Sequence, residues 1–282
     1  MPAIEVNDLR KSYGPVEALR GVSFAVERGE VFGLLGPNGA GKTTTVEILE
    51  GFRERSSGDV SVLGQDPEQR DRSLQERVGI VLQSCGFYPR ATVGEAVTHF
   101  ARAYPSPRDP AETIALVGLE DKTDAHTKTL SGGQRRRLDL ALALVGDPEL
   151  VFLDEPTTGF DPAARRIAWG VVSKLKELEK TVVLTTHYLD EAQELADRVA
   201  IVKDGLVVAE GPPGDLQPGR SDYRVSYVSG GRRVEHQTDD PTDLLHRLTG
   251  DALARGERLE GLEVARPTLE EVYLELTREA EG

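Results

Sequence analysis

The residues Val31-Phe32-Gly33-Leu34-Leu35 run without a break into Gly36-Pro37-Asn38-Gly39-Ala40-Gly41-Lys42-Thr43, and this junction constrains the fold more than any other feature. A short apolar run of this kind reads as a strand buried on both faces, which a chain achieves in a parallel sheet covered by helices. The residues after it fit G-x-x-x-x-G-K-[ST], where glycines let backbone N–H groups close around phosphate oxygens. Lys42 is then expected to open a helix that carries apolar Val46, Leu49 and Phe52 on one side. Strand, loop and helix predict an α/β core that binds a nucleoside triphosphate. Gly36 to Thr43, with Thr44 beside them, form the expected phosphate cradle. Lys42 supplies charge to the β- and γ-phosphates, and the Thr43 hydroxyl is placed to ligate Mg2+.

Composition narrows the partners. The 282 residues hold 34 Lys+Arg against 48 Asp+Glu, a formal charge of -14, so positive potential for the nucleotide has to be concentrated locally. A chain this acidic does not match a nucleic-acid partner, which needs clustered positive surface. The single cysteine, Cys85, excludes an intrachain disulfide and fits a reducing compartment. The start Met1-Pro2-Ala3-Ile4 reads as no signal peptide, and no window approaches the roughly 18 apolar residues of a spanning helix. The expectation is a cytoplasmic chain whose membrane association comes through a partner.

Residues 1 to about 30 alternate apolar and polar and predict a small antiparallel sheet. Residues 86–145 read as a helical subdomain with a proline-rich break at Tyr104-Pro105-Ser106-Pro107. Within it, Ser131 and Gln134 make a capping-box pattern, so a helix is expected to start at Ser131. Gly132 and Gly133 leave its first N–H groups open to an anion. Buried strands follow at Leu150–Leu153 and Thr181–Thr185, then a hairpin turning at Asp204-Gly205. The stretch from Gly211-Pro212-Pro213-Gly214 to Pro218-Gly219 reads as a boundary, giving a core over residues 1–219 and a small α+β extension over 220–282. The extension predicts short strands near Tyr223–Tyr227. A final helix is capped by Thr268 and Glu271, with Leu269, Val272, Tyr273 and Leu276 on one face.

Leu130-Ser131-Gly132-Gly133-Gln134 beside the phosphate loop resembles the signature of the ATP-binding cassette (ABC) family, over about residues 3–215. The resemblance implies a P-loop NTPase core with an antiparallel β subdomain and a helical signature subdomain. Leu150-Val151-Phe152-Leu153-Asp154-Glu155-Pro156 then looks like a Walker B strand, with Asp154 holding Mg2+ and Glu155 orienting the attacking water. By the same resemblance Tyr13 stacks on adenine, Gln83 reaches Mg2+, Asp161 belongs to the D-loop in Gly159-Phe160-Asp161-Pro162, and His187 touches the γ-phosphate. Ser131, Gly132, Gly133 and Gln134 would meet the γ-phosphate held by an opposite subunit, since one chain cannot close the composite site on itself. The implied cofactors are ATP and Mg2+. The implied partners are a second copy or a related ATPase subunit, and a separate transmembrane permease touching the face around residues 84–105.

Two segments are similar to ATPase subunits of drug and antibiotic exporters: Arg266–Thr277 in the tail resembles their C-terminal helix, and Phe87-Tyr88-Pro89-Arg90-Ala91-Thr92-Val93 their post-glutamine loop. Two other readings stay open at this level, a soluble ABC ATPase outside transport and a nucleotide-gated regulatory module. The run Arg135-Arg136-Arg137 is expected to be a solvated or interdomain basic patch, and His99, His126, His236 and His246 to be surface or packing residues with no zinc site.

Overall fold

The computed structural model describes residues 1–81, 90–157, 160–216, 223–229, 231–265 and 269–278. Gln83, Cys85, Gly159, Thr268 and residues 87–89, each given a role above, lie outside the described residues. The chain divides into two compact units, Met1–Glu210 and Gly211–Gly282.

The first unit opens with β1 (Ile4–Tyr13) and β2 (Val16–Val26), followed by β3 (Val31–Leu35) and α1 (Lys42–Leu49). Next come β4 (Ser57–Val62), α2 (Arg72–Gln75) and β5 (Val78–Val81). A helical segment holds α3 (Val93–Ala101), α4 (Pro110–Leu116) and α5 (Gly132–Leu144). The chain then returns through β6 (Leu150–Asp154), α6 (Pro162–Glu177), β7 (Thr181–Thr186), α7 (Leu189–Leu195), β8 (Arg198–Lys203) and β9 (Leu206–Gly211).

Six strands form one sheet in the order β5-β6-β7-β3-β8-β9, with every pairing from β5 to β8 parallel. Its strands alternate between two cores. Val31, Val151, Leu153, Val182 and Leu184 pack on the face shared with the helical segment. Phe32, Leu34, Leu150, Phe152 and Val183 pack on the face covered by α1 and the antiparallel sheet β2-β1-β4. Burial on both faces explains why these strands read as unbroken apolar runs. At the amino ends of the strands, Glu149 ties three of them together. It accepts from Arg77 Nε at 2.5 Å just before β5 and from Arg28 Nη1 at 2.8 Å ahead of β3. These two guanidiniums hold its carboxyl down to about 2.

The expected antiparallel sheet is present, and β4 joins it. Helix α1 departs from expectation at its end. Val46 and Leu49 are buried, but Gly51 turns left-handed at φ 76° and ends the helix before Phe52, which is 57% exposed. The arginine run is more engaged with backbone than its sequence shows. Arg135 is exposed while Arg136 and Arg137 are half-buried, and each guanidinium also meets a carbonyl: Arg135 Nε donates to that of Leu130 (3.1 Å), Arg136 Nη2 to that of Asp154 (2.8 Å) and Arg137 Nη1 to that of Gly118 (2.6 Å).

The second unit is α+β: β10 (Tyr223–Ser229), β11 (Arg232–Thr238), α8 (Pro241–Ala254), β12 (Glu260–Ala265) and α9 (Leu269–Arg278). Its sheet runs β11-β10-β12, antiparallel throughout. Within it Leu269 is buried, Tyr273 is half-buried, and Arg224 pairs with Glu271 at 2.5 Å.

Candidate functional site

Parallel sheets bind ligands beyond the carboxyl ends of their strands, where loops leave side by side. Here β3 ends into the glycine loop, its neighbour β7 ends at Thr186 with His187 next, and β6 ends at Asp154 with Glu155 next. The topology therefore gathers Lys42, Asp154, Glu155 and His187, which sequence spacing leaves far apart.

The loop is built for backbone. At Gly41, with φ 109°, a Cβ would lie 2.6 Å from Leu19 Cδ2 and 2.9 Å from the Ala18 carbonyl, so only glycine fits. Gly41 is also the N-cap of α1 and contributes no side chain, and no acidic residue sits in the first turn. The first N–H groups of a helix lack intrahelical acceptors, so this end is open to phosphate oxygens. Lys42 is buried and donates through Nζ to the carbonyls of Gly36 (2.7 Å) and Pro37 (3.1 Å). Burial lowers its pKa, against which Glu155 and Asp154 pull it upward. Both carboxylates are thus within electrostatic reach of the lysine. Pro37, Asn38, Gly39 and Thr43 are exposed along the loop, and Ala40 is buried beneath it.

Three hydrogen bonds with Thr185 of β7 set the Asp154 carboxylate and the Glu155 backbone. Thr185 Oγ1 donates to Asp154 Oδ1 at 2.5 Å, and the Glu155 N–H donates to the same hydroxyl at 3.0 Å and to the Thr185 carbonyl at 3.2 Å. Glu155 adopts φ 45°, a region sparsely populated by residues other than glycine and associated with functional sites. His187 Nδ1 stands 3.2 Å from Glu155 Oε1. The Thr43 hydroxyl and the Asp154 carboxylate are hard oxygen donors, the set that holds Mg2+ together with substrate phosphates rather than in an all-protein cage. No cluster of three or more His, Cys, Asp or Glu suited to a metal occurs among the described residues.

The signature segment behaves as its sequence suggests. Ser131 caps α5 by accepting from the Gln134 N–H (3.3 Å), while Gln134 Oε1 accepts from the Ser131 N–H (2.9 Å). Ser131 and Gly132 are exposed, Gly133 and Gln134 half-buried. Tyr13, 40% exposed at the end of β1, has Lys11 Nζ and Arg53 Cζ each 5.2 Å from its ring centre. Asp161 caps α6, accepting from the Ala164 N–H at 2.8 Å.

Glu191 was not legible as a site residue. It is fully buried on α7 and accepts from Thr157 Oγ1 (2.9 Å) and Trp169 Nε1 (3.2 Å), tying the segment after Glu155 to α6 and α7. Burial raises its pKa. A groove of ≈ 1400 Å³ lies elsewhere in this unit, lined by Leu74, Ile80, Phe100 and Leu142 with Glu50 and Phe52. Burial, with Asp154 and Glu47 nearby, pushes the Glu50 carboxyl up to about 8.

A phosphate-binding loop feeding a lysine into two strand-end carboxylates defines a P-loop nucleoside triphosphatase. The chain belongs to the ABC transporter family, whose model matches residues 19–158, and it is an ATP-binding, ATP-hydrolysing cassette. It is 41% identical over 215 residues to the Nod factor export ATP-binding protein I of Burkholderia orbicola, covering 74% of this chain and 71% of that one. The protein of the same name from Rhizobium etli is 35% identical over 98% of this chain and 94% of its own length. A solved dimeric ATP-binding cassette in a post-hydrolysis state with ADP and Pi matches with a TM-score of 0.66 and 26% identity, covering 74% and 98% of the two chains.

Proposed function

We propose that this ATPase is the motor subunit of an exporter, working as a head-to-tail dimer beneath a separate transmembrane permease. The observation that carries the catalytic half is the convergence of Lys42 on Asp154 and Glu155, with His187 3.2 Å from the latter. Lys42 and the N–H groups of Gly39 to Thr44 bind the phosphates, and Tyr13 takes the adenine. Thr43, Asp154 and Gln83 hold Mg2+, which when bound neutralises charge on the transferring phosphoryl group. Glu155 accepts the proton of the attacking water, and His187 holds that carboxylate in place and contacts the γ-phosphate.

The Ser131–Gly133 turn, exposed at Ser131 and Gly132, supports the dimer, since its open helix end suits a phosphate carried by another protomer. Asp161 then lies at the junction of the two copies. Residues 1–219 serve as the nucleotide-binding domain, and 220–282 as a dimerisation or regulatory extension. The groove, lined in part by α3 residues such as His99 and Phe100, takes the permease; exposed Phe52 and Phe100 at 57% and 43% supply apolar contact there. No helix among the described residues is long and apolar enough to cross a membrane. The permease is proposed as a separate chain, with the ATPase peripheral on the inner membrane face. Export follows the names of the Burkholderia and Rhizobium relatives.

Affinity purification from detergent-solubilised membranes tests the assignment. A stoichiometric multi-span protein is expected with the chain, and recovery only with ribosomes or repair factors would refute it.

A further inference from the structure

The peptide bond joining Asp154 to Glu155 is gripped on both sides. Its carbonyl oxygen accepts from Arg136 Nη2 at 2.8 Å, while its N–H donates to the Thr185 hydroxyl at 3.0 Å and to the Thr185 carbonyl at 3.2 Å. The two anchors come from different parts of the unit. Thr185 lies on β7 of the sheet, and Arg136 lies on α5 of the helical segment. The gripped peptide leads directly into Glu155, whose φ of 45° persists only where the surroundings over-determine it. Rotation of that peptide would swing the carboxylate away from its present aim at His187.

The two arginines beside Arg136 do something else. Arg135 and Arg137 spend their guanidiniums on carbonyls of the helical segment, those of Leu130 and Gly118. Arg136 reaches instead across to the end of β6. A guanidinium suits this task because its donors point in fixed directions, and a charged donor makes roughly twice the bond of a neutral one.

We propose that Arg136 is a positioning residue for Glu155, coupling the helix that carries the Ser131–Gly133 turn to the aim of the carboxylate in the same chain. This rests on Glu155 being the group that activates water. One helix would then serve two sites, its first turn meeting the partner's phosphates and its second turn setting its own carboxylate. Displacement of α5 on dimer closure is felt at the Asp154–Glu155 peptide, so hydrolysis in one site depends on closure at the other.

The test compares Arg136→Met and Arg136→Lys with Glu155→Gln in the full chain, by steady-state hydrolysis and equilibrium binding of a fluorescent ATP analogue. Arg136→Met is expected to lower kcat roughly 10- to 100-fold, the scale of an ångström-level misplacement, with KM and analogue affinity unchanged. Arg136→Lys keeps the charge without the fork and is expected to recover part of the loss. A folded Arg136→Met variant with wild-type kcat overturns the proposal, as does a loss of nucleotide affinity in step with kcat. Should Arg136→Met fail to fold, Arg136→Lys decides alone, a kcat equal to wild type counting against positioning. Normal hydrolysis by Glu155→Gln would instead remove the base assignment beneath it, whatever the arginine variants do.

Discussion

His187 Nδ1 lies 3.2 Å from Oε1 of Glu155, although the two leave the ends of different strands. A hydrogen bond from Nδ1–H to the carboxylate oxygen at this distance orients the Glu155 side chain. Replacing Glu155 by Gln keeps the shape and removes the base. Hydrolysis is expected to fall by about 10²–10⁴-fold while ATP affinity holds, as a turnover assay beside equilibrium binding will read.

Gly41 offers a backbone prediction. In Gly41→Ala the new Cβ meets Leu19 and the Ala18 carbonyl at a φ of 109°. The variant is expected to lose nucleotide binding and about 1–3 kcal/mol of stability, measurable by denaturant unfolding.

Glu50 makes stability fall as pH rises from 4.5 towards about 8. Its folded pKa is raised from 4.5 to about 8, so the stabilising protonated form is complete below 4.5 and is lost as pH rises through 8. Glu50→Gln carries no such charge. Its Tm relative to wild type should rise as pH increases from 4.5 towards about 8 and level off above that in a thermal melt series. A constant difference across that range would contradict the buried carboxyl.

Glu149 carries the opposite sign. Its pKa is lowered from 4.5 to about 2 by Arg77 and Arg28, so its contribution is present above 4.5 and lost as pH falls through 2. Melts of Glu149→Gln should lie below wild type near neutral pH, and the gap should close on acidification.

The glycine loop, the Walker B strand and the Ser131 capping box were legible because each depends on neighbours within a few residues. Loop chemistry, strand burial and helix capping all act at that range, and the sheet built around Val31–Leu35 follows from it. Phe52 misled because helical spacing says nothing about where a glycine ends the helix, and Gly51 ends it first. Arg136 and Glu191 were not legible for a deeper reason. Arg136 reaches a backbone carbonyl 18 residues away and Glu191 a hydroxyl 34 residues away, and tertiary packing alone brings those groups together. An arginine run after a helix cap looks the same whether its guanidiniums meet water or carbonyls.

On this reading the Ser131–Gly133 turn of one copy, exposed at Ser131 and Gly132, completes the phosphate site of another. Light scattering on size-exclusion eluates, with Glu155→Gln protein in ATP and Mg2+, tests it most directly. Twice the chain mass is expected with nucleotide, the single-chain mass without it, and no nucleotide-driven dimer once Ser131→Ala and Gly133→Asp are added. Dimerisation undiminished by those two changes would contradict it.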